Sequence, residues 1–220
     1  MSDALTGRQA VVVAWPGALA ERLRAALDGA GAGVVVIAPP GDDVAAYREV
    51  FAGPAPDVAV FAAIDPAWLD PRPVVGLDEA EWDRRAEAPV RAALWTAQAA
   101  YPHLRGRDGR LILVCPTVAL EGAAGLVPFA SAAEAQRQLA KSAARRWGAE
   151  GITVNVVCPA VAALAPALAG TDADRVTPSL PDGADPLAGV ASAVVWLAGR
   201  EASAITGATI GADQGAVMAP

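Results

Sequence analysis

The chain has 220 residues, 54% of them hydrophobic, with a formal net charge of −7 at pH 7. That length suits one domain around one core, and the acidic balance, with a pI near 4.7, argues against nucleic acid, whose binding needs concentrated basic charge to release counterions. One histidine and two cysteines weigh against a structural zinc site and a disulfide framework.

Mean hydropathy is +0.35, yet Arg, Asp, Pro or Gly interrupts every apolar run before the roughly 18–20 residues of a membrane span. The opening MSDALTGRQAVVVAW has no basic stretch ahead of an apolar one and reads as the lead into a strand, so a cytoplasmic protein is expected.

The first strand is expected at Ala10–Val13. A helix over Leu19–Leu27 follows, its apolar residues Leu19, Leu23 and Leu27 recurring every four. A second strand at Val34–Ala38 and a short helix at Asp43–Phe51, capped from Asp42–Asp43, lead into a third strand at Val58–Ala62. Next come a helix over Ala86–Ala100, a strand at Arg110–Cys115, a helix over Ala130–Trp147 and a strand at Thr153–Val157. Segment Ala160–Pro186, rich in Pro, Asp and Gly, is expected to form a mobile lobe over the carboxyl-terminal edge of the sheet. The helix Pro186–Leu197 carries Leu187, Val190, Val194 and Leu197 on one face, and a last strand falls at Thr209–Ala212. Nearly all-apolar strands alternating with helices predict an α/β fold: one doubly wound, Rossmann-like parallel sheet covered on both faces, over residues 1–220.

Five blocks then carry a family resemblance in the right order: GRQAVVVAWPGALAERLRAALDGAGAGVVVI, EWDRRAEAPVRAALWTAQAAYPHL, GRLILVCPTVA, GITVNVVCPA and EASAITGATIGADQG. Together they resemble the short-chain dehydrogenase/reductase family across almost the whole chain. The resemblance implies a cofactor loop after the first strand and an Asn–Ser–Tyr–Lys catalytic set. Only 19 residues separate Ala38 from Val58, too few for the family's helix–strand–helix run, so six strands are expected, with the third, edge-strand unit shortened or missing.

Aligned on these blocks, the tyrosine slot holds Phe129, the lysine slot Ala133, the serine slot Pro116 and the asparagine slot Pro89. Composition closes the escape by misalignment. Lys141 is the only lysine, Arg137 stands four residues before it, and Tyr47 and Tyr101 are followed four positions on by Phe51 and Arg105. Lys141 lies eight helical residues past Ala133, about 12 Å along the axis. Phenylalanine has no proton to donate.

The cofactor loop is equally altered. Its three glycine slots hold Ala14, Ala18 and Ala20, Trp15 and Pro16 stand between them, and Gly17 occupies a non-equivalent position. Ala38–Pro40, at the end of the second strand, offer no charge to a ribose, and FAAI at Phe61–Ile64 replaces the family's polar NNAG block. No cofactor, NAD or NADP, is therefore expected, and no metal.

Other chemical residues receive plain readings. Cys115 and Cys158 are expected as buried thiols at neighbouring strand ends, with nothing near to lower their pKa. Thr117 serves a turn, His103 a helix end, Glu134 points about 100° away from the lysine direction, and Asn155 ties strands together. A residual pocket is expected to be lined by Trp15, Phe61, Cys115, Thr117, Phe129 and Pro159.

The functional expectation is a non-catalytic subunit. It would associate with itself or with an active paralogue through helices 86–100 and 130–147 and the last helix and strand. The alternatives are an enzyme of the same fold with altered chemistry and a ligand sensor using the residual crevice.

Overall fold

The computed structural model describes residues 3–174, 179 and 185–218. Among them six strands form one parallel sheet: β1 (Gln9–Val13), β2 (Gly33–Ile37), β3 (Val58–Phe61), β4 (Gly109–Val114), β5 (Ile152–Cys158) and β6 (Thr209–Gly211), in the order β2-β1-β3-β4-β5-β6. Each strand lies within one residue of its expected bounds, as strongly apolar runs dictate. β3 pairs directly with β1, Ala10 opposite Val58, so β2 is the edge and the family's outer strand unit is missing, as the short spacing required.

Alternation along the strands feeds two cores. Val11, Val13, Ala59, Phe61, Leu111, Leu113, Val154 and Val156 face one way, beneath helices α2 (Val44–Ala52), α4 (Ala88–Leu104) and α6 (Val127–Trp147). Ala10, Val12, Val58, Val60, Ile112, Val114 and Val157 face the other, beneath α1 (Ala18–Gly29) and α8 (Pro186–Ala198). A period of two on the strands thus sorts the chain into three layers.

The helix ends differ from the periodicity. α6 begins at Val127, three residues before the apolar stripe announces it, because Pro128 fits a first turn whose N–H groups have no helical partner. α4 follows a short helix α3 (Glu79–Trp82) and a π-helical turn over Asp83–Glu87. Arg85 in that turn donates to the Asp70 carbonyl at 2.6 Å, pinning the loop that leaves β3. Asp43 caps α2, accepting from the Ala46 N–H at 2.9 Å. Asn155 donates to the Ile205 carbonyl at 2.8 Å and accepts from the Ala208 N–H at 3.1 Å, tying β5 to the segment before β6.

Two short helices, α5 (Val118–Glu121) after β4 and α7 (Val161–Leu164) after β5, cover the carboxyl-terminal edge. Of the expected lobe, residues 175–178 and 180–184 lie outside the described residues. Among the described residues no helix is long and apolar enough to cross a membrane.

Candidate functional site

The carboxyl-terminal edge of the sheet leaves donors without partners. The first helical bond of α1 runs from the Glu21 N–H to the Gly17 carbonyl at 3.0 Å, which leaves the amides of Ala18, Leu19 and Ala20 ahead of it. No side chain caps them. Gly17 itself has φ 156° and ψ −176°, a conformation other residues reach only under strain, and a Cβ there would meet nothing within 4 Å. An uncapped helix start facing open space is a site for negative charge.

Two cavities share Trp15, which is 38% exposed, and the smaller of them borders this helix start. One, of about 270 Å³, lies between the loop after β1, α7 and the start of α8, with Gly17, Ala62, Ile64, Leu164 and Leu187 in its wall. The other, of about 510 Å³, lies between α2 and α4 and is lined by Tyr47, Trp68 and Trp95, with Asp42 and Arg91 also at its wall. The alanines at the expected glycine slots do not close this space: Ala18 is exposed, while Ala14 and Ala20 are buried in the core below.

The residues aligned with the catalytic pair lie in hydrophobic packing. Phe129 is 2% exposed, Ala133 is fully buried, and both belong to a cluster with Leu69, Val118, Leu126, Val161 and Leu168. The Trp68 ring lies against Phe129 at 6.1 Å between centroids. Pro116 and Pro89 are also buried. The Pro89 carbonyl accepts from Gln136 Nε2 at 3.0 Å, and Gln136 Oε1 accepts from the Cys115 thiol at 3.4 Å, so one buried amide joins α4, α6 and β4.

Of the six residues expected to line a residual pocket, only Trp15 lines either of these cavities. Phe61 is turned into the core under α2 and α4 by strand alternation. Cys115 and Pro159 are buried at the strand ends, and Thr117 is held there by its N–H donating to the Pro159 carbonyl at 2.9 Å. Burial pushes the Cys158 thiol up to about 12 and the Cys115 thiol well above its ordinary value, so both stay protonated. Glu134 is paired with Arg137 at 2.6 Å, and that hydrogen bond holds its carboxyl below the usual range.

Sequence reasoning missed Asp42, Tyr47, Trp68, Arg91 and Trp95. Tyr47 entered only as a tyrosine without a lysine partner, and the three others besides Asp42 stand in no family motif. Their one signal was aromatic: four of the chain's few large rings meet in one cavity. Two carboxyls near the Phe129 cluster were missed as well. Burial raises Glu121, with added like charge from Asp174 and Asp213, and burial raises Asp174. Val118 and Ala173, close to these two in sequence, pack in the cluster around Phe129.

Comparison with known proteins adds the context. A family model described as enoyl-(acyl carrier protein) reductase matches residues 55–217. The chain is 37% identical over 120 residues to a 3-oxoacyl-[acyl-carrier-protein] reductase of Salmonella typhimurium, covering 52% of this chain and 48% of that protein. The chain thus spans about half the length of that curated relative. Among solved structures, a gluconate 5-dehydrogenase from Burkholderia cenocepacia, in complex with NADP and tartrate, superposes with a TM-score of 0.82 at 21% identity, covering 99% of this chain and 98% of that one. A short chain dehydrogenase from Mycobacterium paratuberculosis bound to NAD gives 0.79 at 21% identity, over 97% and 98%.

These findings correct two expectations. The relatives are named as reductases and dehydrogenases, which speaks against the expectation of a non-catalytic subunit and favours the alternative of an enzyme of the same fold. The expectation of no cofactor is likewise opposed by the nicotinamide nucleotides bound in the structural neighbours. The loop is where that expectation was weakest: alanines at the glycine slots leave the amides of α1 open beside the smaller cavity.

Proposed function

The chain belongs to the short-chain dehydrogenase/reductase family, and from that premise we propose that it is a divergent oxidoreductase that binds a nicotinamide dinucleotide across the carboxyl-terminal edge and works without the family's Tyr–Lys pair. The observation that carries this reading is the uncapped start of α1 bordering one cavity, which a second cavity meets at Trp15. The amides of Ala18 and Leu19 would hold the pyrophosphate, the cavity of Tyr47 and Trp95 the adenosine half, and the cavity of Ile64, Leu164 and Leu187 the nicotinamide half. When bound, such a cofactor supplies or accepts hydride.

The residues of this chain then set the terms of the reaction. Phe129 and Ala133 give neither a proton nor an ammonium, so proton transfer falls to other groups. Glu121 and Asp174 are the carboxyls offered for that part: partial desolvation moves both upward from their ordinary values, and Val118 and Ala173, close to them in sequence, pack around Phe129. An acyl thioester is the substrate class in line with the acyl-carrier-protein reductases among the relatives. Self-association belongs to the same proposal: Leu94 on α4 and Trp196 on α8 are exposed apolar residues on two of the elements expected to pair.

The test is a tryptophan-fluorescence titration with NADH and NADPH, followed by oxidation of the bound form with 3-oxoacyl and enoyl thioesters. Saturable quenching and slow turnover are expected. Absence of any quenching or thermal shift up to millimolar nucleotide would overturn the reading.

A further inference from the structure

The family's missing outer strand unit leaves β2 with an open side. β2 bonds β1 through its odd-numbered residues: the Gly33 N–H donates to the Arg8 carbonyl at 2.9 Å, and the Ile37 carbonyl accepts from the Ala14 N–H at 2.8 Å. Alternation then turns the N–H and C=O groups of Val34 and Val36 away from β1. Among the described residues no other segment bonds them. The side chains agree. Val34 and Val36 pack against the core under α1 and Ile37 against the core under α2, while Val35, on the face of Ile37, is left 40% exposed.

Such a strand is a template for another, and folded proteins guard theirs with charge, proline, a bulge or shortness. At the other side of the sheet β6 is guarded by its length of three residues. β2 reads GVVVI, and no charged residue stands between Asp28 and Asp42. Pro39 and Pro40 lie beyond the two residues whose groups are open. What fits is extended main chain with an uncharged apolar face, and the chain supplies one itself. The open groups lie symmetrically about Val35, the middle residue of β2, so a second copy turned about a dyad there matches them. Val34 pairs with the partner's Val36 and Val36 with the partner's Val34, through four main-chain bonds, and the two Val35 side chains meet in the close, non-hydrogen-bonded pair between. β2 offers a foreign peptide no charge to select it by, whereas the dyad satisfies the open groups of both copies in one contact.

We propose that two copies of this chain join antiparallel through β2, the partner's strand standing where the missing unit would lie, so that two six-stranded sheets become one. The proposal is independent of the oxidoreductase reading, and it uses neither α4 nor α8. The contact is small beside the roughly 1,000 Å² of a durable specific interface, so it forms reversibly, with concentration.

Sedimentation of the whole chain across a concentration series tests this, in the wild type, V35K and V35E. The wild type is expected to gain mass with concentration. Like charges set opposite each other should weaken that association about 5-fold or more in either variant alone. An equimolar mixture of V35K and V35E should restore it, because each substituted side chain then faces its opposite charge. Only contact of this position with its own counterpart produces that rescue. Val35→Cys supplies a reading that does not depend on charge. The Cα atoms of a non-hydrogen-bonded antiparallel pair stand about 4.5 Å apart, within disulfide range, and Cys115 and Cys158 are buried. Air oxidation with copper–phenanthroline should therefore give a covalent V35C dimer on a denaturing gel, and dithiothreitol should return it to monomer. A wild type of constant mass at every concentration would overturn the assignment. So would association that V35K and V35E leave unchanged, which would put the contact on the helices, or a mixture no stronger than either variant. A V35C chain that stays monomeric under oxidation while the wild type associates would move the dyad off Val35, and would overturn it too.

Discussion

The two edges of the sheet are built on opposite terms. At the amino-terminal edge, around a polar cavity of about 500 Å³, charges answer charges. Arg8 Nη2 donates to Asp108 at 2.6 Å, Arg110 reaches both oxygens of the same carboxylate at 2.8 and 3.0 Å, and Arg107 pairs with Asp57 at 3.0 Å. At the carboxyl-terminal edge α1 starts uncapped, the Tyr47 hydroxyl is unpaired and the cavity walls are aromatic or apolar. The amino-terminal edge pairs its charges, although Arg110 Nε and Thr153 Oγ1 are buried there without partners. The carboxyl-terminal edge leaves a helix start uncapped beside aromatic and apolar walls, and that is where ligands of open α/β sheets bind.

The sharpest way to break this comparison is Asp108→Ala. The substitution strands two arginines, one of them, Arg110, fully buried. Asp108 is itself half exposed and Arg110 keeps its bonds to two backbone carbonyls, so the loss of the charged hydrogen bonds costs about 2–3 kcal/mol, read as a lower urea midpoint. A loss of only about 1 kcal/mol, the size of a surface pair, would erase the difference between the edges. The pH dependence has a definite sign. Burial raises the Asp108 carboxyl, but hydrogen bonds and charge from Arg110 and Arg8 outweigh it and hold the group low. As pH falls the unfolded aspartate takes up its proton first, so this contribution is present above the ordinary aspartate range and is lost as pH falls through the folded value. Asp108→Ala should flatten the acid limb of the stability profile.

Next in size is Phe129→Tyr, which restores the family's hydroxyl to a site now packed with Leu69, Val161 and Leu168. A hydroxyl buried there without a partner costs about 1–3 kcal/mol. No lysine accompanies it, because Ala133 is fully buried one turn on. The expected result is a lower Tm with unchanged turnover of thioester substrates. Higher turnover at unchanged Tm would mean that the cluster opens in solution and that the acid–base role assigned to Glu121 and Asp174 is unnecessary.

Why the fold was legible and the site was not follows from these same residues. Strand runs such as Ala10–Val13 and Arg110–Cys115 are apolar in pattern and buried on both faces, so they stand out whatever becomes of the motifs around them. The missing edge strand was written in a spacing, which no packing can alter. The site was read through side chains at motif positions, with Phe129, Ala133 and Pro116 aligned to the catalytic slots. Phosphate-facing amides and a cavity wall are different in kind. The amides of α1 have no sequence identity beyond Gly17. Tyr47 and Trp95 come from helices and stand 48 positions apart, and only the folded layer of α2 and α4 brings them together. Loss of a motif was legible; retention of its backbone geometry was not.

Gly17→Ala tests that geometry with a smaller effect on the fold. With open space around the new Cβ, the cost is backbone strain alone, about 1–2 kcal/mol. Relief of that strain would turn the start of α1, so nucleotide affinity should fall more than stability does. Equal affinity for NADH in the variant and the wild type would remove α1 from the binding site.

The smallest effect lies on the alkaline side and isolates Tyr47. In the unfolded chain its phenol ionises near 10, whereas in the fold it waits until about 12. The folded state therefore binds more protons between these values, and its stability, fully present below pH 10, declines as pH rises through that window. Cys115 and Cys158 decline in the same direction from about pH 9, in wild type and Tyr47→Phe alike, so only the difference between the two alkaline limbs belongs to the phenol. Tyr47→Phe should show the shallower limb in urea melts between pH 10 and 11. Superimposable limbs with and without the hydroxyl would mean that Tyr47 is open to water in solution, leaving Thr117 Oγ1 and the start of α1 as unpartnered donors of the carboxyl-terminal edge.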